Sequence, residues 1–166
     1  MCIRDSANTE LWNGTNWTEV NDLGRPTGFT DIQGAGADST AGLAFAGNPD
    51  YQAFTETWNG TNWTEVNKLN KGRYASAGSG TSTDAINSGG YSGPNSVPAG
   101  EYVAFTETWN GTNWTERADM NTARRQMGSS GTATNGAVIA GGVTSPGPVA
   151  NTEEFTFSGT VVKTLD

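Results

Sequence analysis

Hydrophobic and polar positions alternate over short stretches and nowhere sustain a spacing of 3.6 residues, so the pattern predicts strands and no helix. The clearest alternation is residues 55–66, T-E-T-W-N-G-T-N-W-T-E-V, which recur almost unchanged from Thr9 and Thr106 and in worn form from Thr152 through Phe155. In each full copy, two runs rich in Thr and Trp flank an Asn-Gly turn, which predicts a β-hairpin. A four-residue loop sets Trp12 opposite Trp17, then Leu11 opposite Thr18 and Glu10 opposite Glu19. A two-residue type I′ turn centred on Asn13-Gly14 instead sends the two tryptophans to opposite faces. We favour the four-residue loop.

Two further strands are predicted between successive hairpins: residues 29–37 and 43–46 in the first unit, 74–81 and 85–90 in the second, 126–134 and 137–142 in the third. The chain therefore divides into a half unit at residues 7–20 and units at 21–66, 67–117 and 118–166, the last with a degenerate hairpin over residues 152–164. Trp12, Trp58, Trp109 and Phe155 mark a period of about fifty residues, within the range of propeller blades and solenoid units. Four antiparallel strands per unit select the β-propeller blade. The fold class is all-β: about three and a half four-stranded antiparallel blades forming an open arc, with a closed ring needing about twice this chain.

Composition adjusts this picture in a few places. Twenty-three glycines and a low apolar fraction resemble a disordered chain, but six tryptophans at regular positions argue for a packed one. A net charge of −8 argues against nucleic acid, which needs clustered Lys and Arg, and no apolar run is long enough to span a bilayer. Neither nucleic acid nor membrane is therefore an expected partner. Residues 1–6 match nothing in the repeat and read as the translation of a transposase-type library adapter, which sets aside Cys2, the chain's one cysteine. With no histidine and no other thiol, the chain lacks the usual bases, nucleophiles and metal ligands, so we expect no enzyme activity, cofactor or metal site.

A Gly-Gly pair closing the second strand, a tryptophan in the third, another in the fourth and then an arginine form a recurring set. They are Gly89-Gly90, Trp109, Trp114 and Arg124 in one unit, with Trp58, Trp63 and Arg73 before it and Gly141-Gly142 and Phe155 after it. This set resembles kelch repeats, and the T-E-x-W-N-G-T-x-W-T-E copies resemble the kelch-like proteins of marine phage and environmental genomes. The first unit departs from the pattern, with Ala46-Gly47 at the pair, Arg25 two places early and Thr27 at the arginine position. The resemblance implies a kelch-type propeller serving as a non-enzymatic structural or adhesion module of a virion or tail appendage. The alternative it leaves is a cellular or secreted scaffold for protein partners, cytoplasmic or extracellular.

Antiparallel order puts the loops between second and third strands on the same rim as the connections between units, with the hairpin tips opposite. Those loops differ most between units and hold Tyr51, Tyr91 and Tyr102, the candidate contacts to a glycan or protein. Arg73 and Arg124 share that rim as candidate anion ligands, or as structural forks tying neighbouring blades. The tryptophans Trp12, Trp17, Trp58, Trp63, Trp109 and Trp114 and the pairs Gly89-Gly90 and Gly141-Gly142 are expected to be structural. The Asn-Gly-Thr tips match the N-glycosylation pattern but read first as turn chemistry. The remaining partner is the rest of a longer chain, with Asp166 expected near its true end because the last copy is degenerate.

Overall fold

The computed structural model describes residues 7–24, 30–48, 53–93, 100–157 and 163–165. The expectations attached to residues 1–6, Arg25, Thr27, Tyr51 and Asp166 lie outside these residues. Every regular element among those described is a β-strand.

The half unit is a hairpin of β1 (Thr9–Trp12) and β2 (Trp17–Val20). Its register is Trp12 with Trp17, Leu11 with Thr18 and Glu10 with Glu19, the pairing that a four-residue loop dictates. Asn13 makes the loop: its side-chain oxygen accepts from the backbone N–H of Thr15 and Asn16, both at 2.9 Å. Gly14 then takes a φ of +94°, which a side chain would resist. Asn59 and Asn110 repeat this geometry in the later tips, so the Asn-Gly-Thr sequence is accounted for by turn chemistry.

The first full blade follows in chain order as β3 (Gln33–Asp38), β4 (Ala41–Phe45), β5 (Thr55–Trp58) and β6 (Trp63–Glu65), a four-stranded antiparallel sheet. A short strand β7 (Arg73–Tyr74) leads into the second blade, formed by β8 (Ala77–Gly80), β9 (Ala85–Ser88), β11 (Thr106–Trp109) and β12 (Trp114–Arg117). Between them, β10 (Tyr91–Ser92) pairs back onto β7. The third blade is β13 (Gly128–Thr132), β14 (Gly136–Ala140), β17 (Thr152–Phe155) and β18 (Lys163–Leu165). The worn copy thus still forms an outer hairpin, with Glu153 opposite Thr164. Residues 143–150, which lie between the expected second strand and the worn hairpin, carry a small hairpin of β15 (Val143–Thr144) and β16 (Gly147–Pro148). The whole is a propeller-like arc of separate sheets that do not close on themselves.

The inner strands β3, β8 and β13 lie side by side, and the apolar core runs between blades rather than within one. Between the first and second blades it comprises Leu43, Phe45, Ala46, Leu69, Ala85, Trp109 and Trp114. Phe45 meets the edge of Trp114 at 4.9 Å. Between the second and third it comprises Ala77, Met120 and Ile139, so Leu69 and Met120, six residues after the outer-strand tryptophan in their units, plug equivalent joints. Gly78 shows why the inner strands need small residues. A Cβ there would lie 2.7 Å from the Phe45 ring and 2.8 Å from Gln33, both on the neighbouring blade.

Candidate functional site

The recurrent residues build a frame. Trp58 and Trp63, and Trp109 and Trp114, pair across their hairpins at 5.4 and 5.5 Å between ring centres. The third-strand indoles Trp58 and Trp109 donate to the carbonyls of Ser39 and Ser82 in their own blades. The fourth-strand indoles Trp63 and Trp114 reach back to the preceding unit, donating to the hydroxyls of Thr9 and Thr55 at 2.8 Å. Gly89 and Gly90, at φ +62° and +114°, close the second strand where the next blade comes nearest: the Gly90 N–H donates to the Arg124 carbonyl. A Cβ on Gly89 would stand 2.6 Å from that same carbonyl. Gly141 and Gly142 repeat the backbone conformation, while Ala46 adopts φ +59° ahead of Gly47 in the first blade.

Arg73 and Arg124 belong to this frame and not to the rim surface, which corrects their place among the candidate contacts. Both are completely buried. Arg73 Nη1 donates to Glu107 Oε1 at 2.6 Å and to the Lys71 carbonyl, and its Nη2 donates to the Asn87 carbonyl. Arg124 donates in the same way to Glu153 and the Ile139 carbonyl. Burial pushes the Arg73 guanidinium below its ordinary pKa, and the Glu107 carboxylate opposes that shift. The pairs lie within single blades, so their forks do not tie neighbouring blades together. They pin the strand entering a blade, and the same carboxylates accept the N–H of Asn70 and Asn121 in the incoming connection. In the first blade, where Thr27 stands at the arginine position, Glu56 keeps the second half of this role and accepts from the Gly24 N–H at 2.8 Å.

The rim itself carries an aromatic cluster centred on Tyr91 and Tyr102. The two bridge as backbone partners, and their rings meet edge to face at 5.6 Å. Tyr74 packs on Tyr91 at the same distance, and the Arg125 guanidinium lies over Tyr91 at 5.7 Å and over Tyr102 at 5.4 Å. Arg125 also reaches the Tyr74 hydroxyl at 3.4 Å. Ser92 fastens the loop: its hydroxyl accepts from the Glu101 N–H and donates to the Glu101 carbonyl.

Beside this cluster opens a cleft of about 550 Å³ between the second and third blades. Tyr91, Glu101 and Tyr102 form one wall, Thr144, Ser145 and Pro146 the other, and Thr122 and Ala123 of the incoming connection lie between them. The sequence-predicted pair Tyr91 and Tyr102 is brought together here, on the expected rim. Tyr74 and Arg125 were missed. They occupy one repeat position, directly after the buried arginine, in adjacent units. Hydroxyls, one carboxylate and two aromatic rings suit neutral, hydroxyl-rich or amide-rich ligands better than phosphates. Among the described residues, no group of three or more His, Cys, Asp or Glu could hold a metal ion. No described helix is long and apolar enough to cross a membrane.

No protein-family model matches the chain, and neither does any curated protein. Among solved structures, the fold is similar to that of YjhT, with a TM-score of 0.72 at 14% sequence identity over 90% of this chain. The matched region covers 49% of YjhT, so the chain spans about half the length of that protein.

Proposed function

We propose that the chain is part of a kelch-type propeller that serves a phage virion or tail appendage as a non-enzymatic structural or adhesion module. It grips a glycan or protein surface through the Tyr91–Tyr102 cleft. The observation that carries this reading is where difference and sameness fall along the chain. Near-identical hairpins form the frame, while the segments that differ between units supply both walls of the cleft. Tyrosine suits such a wall, because it offers a broad apolar face and a hydroxyl at little entropic cost. Glu101, Thr122 and Ser145 add polar groups able to pair with sugar hydroxyls or peptide amides. The Gly-Gly closures, paired tryptophans and buried arginines support the kelch assignment, and the resemblance to phage repeat proteins supports the virion setting.

Removing residues 91–102 and bridging the gap with a short glycine linker is the direct test. Binding to host-cell glycans and virion proteins should fall at least tenfold while the melting temperature of the frame stays close to that of the parent. Unchanged binding to every glycan and virion protein that the parent recognises would refute the proposal.

A further inference from the structure

One residue ties the two walls of the rim cleft together. The Arg125 N–H donates to the Val143 carbonyl at 3.1 Å and its carbonyl accepts from the Val143 N–H at 2.9 Å, which fixes the start of β15 on one wall. Its guanidinium lies over the rings of Tyr91 and Tyr102 on the other. At the next residue, the Gln126 N–H donates to the Ala75 carbonyl at 2.7 Å and holds this tie against the second blade. The Thr144 hydroxyl donates to the Gly147 carbonyl at 2.9 Å and closes the β15–β16 turn. The cleft is therefore set before any ligand arrives, and ordering it costs a ligand little.

Main-chain pairing narrows what such a ligand is. β10 is flanked on one side by β7 and on the other by residues 101 and 102, to which Tyr91 and Ser92 bond. β15 is flanked by β16 and by Arg125. Neither strand leaves an edge to which an extended peptide could add, so the cleft reads its ligand through side chains. Charge narrows it further. Glu101 belongs to the lining, and its carboxylate forms no ion pair with any described residue. An anionic ligand meets that carboxylate. A cationic one finds a face of each tyrosine ring already taken by Arg125, which stands behind them and outside the lining. An uncharged ligand loses nothing to either group.

We infer that the ligand of this cleft is an uncharged oligosaccharide, selected by Glu101. The inference rests on the reading of the cleft as the binding site and narrows it to one ligand class. Two neighbouring hydroxyls of a hexose donate to the two oxygens of the Glu101 carboxylate. The hydroxyls of Thr122 and Ser145, which make no hydrogen bond with any described residue, pair with others, and the C–H face of the sugar lies on the tyrosine rings. A cleft of about 550 Å³ holds about two hexose units. Glu101 determines specificity because the carboxylate that accepts from a neutral diol repels a sugar bearing a carboxylate or sulfate.

The test is binding of the chain to a printed array of neutral, uronic-acid, sulfated and amine-bearing oligosaccharides, with immobilised extended peptides alongside. Neutral oligosaccharides should bind most tightly, and Glu101→Ala should weaken them at least tenfold. Glu101→Gln keeps one acceptor oxygen and loses the charge, so it should narrow the preference for a neutral sugar over its uronic acid by at least tenfold. Both variants should melt with the parent, since Glu101 is exposed. Strongest binding to charged sugars or to peptides, lost in Tyr91→Ala/Tyr102→Ala, would overturn the ligand class and leave the cleft as the binding site. Neutral-sugar binding that survives Tyr91→Ala/Tyr102→Ala would refute the cleft reading and the inference with it. Absence of binding to every neutral oligosaccharide, or an unchanged preference in Glu101→Gln, would overturn the inference alone.

Discussion

Arg73 and Glu107 meet in the interior of one blade, each fully buried, with Nη1 2.6 Å from Oε1. Neither charge has water to turn to, so removing one leaves the other stranded, at a cost of about 3–5 kcal/mol. Glu107→Gln should therefore destabilise the chain by about 3 kcal/mol or more in urea unfolding. Glu10→Gln, the same change at the exposed equivalent, should stay within about 0.5 kcal/mol. Equal effects at the two positions would remove the buried pair from the account of stability.

Gly89 and Gly141 adopt nearly the same backbone, φ +62° and +67°, in different surroundings. A Cβ at Gly89 collides with the Arg124 carbonyl and two methionine methyl groups, whereas at Gly141 the nearest atom is 3.7 Å away. Gly141→Ala should cost only the left-handed penalty of about 1–2 kcal/mol. Gly89→Ala should cost clearly more, because the neighbouring blade must move. Denaturation midpoints of the two variants make the comparison.

Trp114→Phe removes the indole N–H that Thr55 accepts in a buried joint, and should cost about 1–3 kcal/mol. The same substitution at exposed Trp17 should be close to neutral in this chain. Parallel thermal melts distinguish them.

Asp38 caps the turn between β3 and β4, where its carboxylate accepts from the Thr40 hydroxyl at 2.6 Å and the Thr40 N–H at 2.7 Å. These bonds, the hydroxyl first, hold its pKa below the ordinary 3.8. A carboxyl depressed by folding contributes stability above its unfolded pKa and loses it as pH falls through the folded one. In an NMR titration, Thr40→Val should bring the Asp38 midpoint back towards 3.8, without restoring it fully because the backbone bond remains.

How much of this was legible varied with how local the cause was. The register of Trp12 with Trp17 follows from the Asn-Gly loop a few residues away, and the sequence alone predicts it. The buried role of Arg73 depends on Glu107, 34 residues on, while Arg124 meets Glu153 only 29 residues on. The loops between them differ in length, so no fixed spacing betrayed the partners. Arg125 and Tyr74 lie 51 residues apart, about one repeat, and their contact comes from blade stacking. That separation is a usable signal, because equivalent positions in adjacent units face each other where the blades stack. The β15–β16 hairpin was hidden because its two-residue strands are too short to alternate.

The claim that the rim cleft is the binding site is tested most directly by equilibrium titration of the parent and a Tyr91→Ala/Tyr102→Ala variant against the same purified glycan or virion protein. We predict at least a tenfold loss of affinity in the variant, with unchanged melting of the outer hairpins. Equal affinity in a folded variant would contradict the account and move recognition elsewhere on the arc.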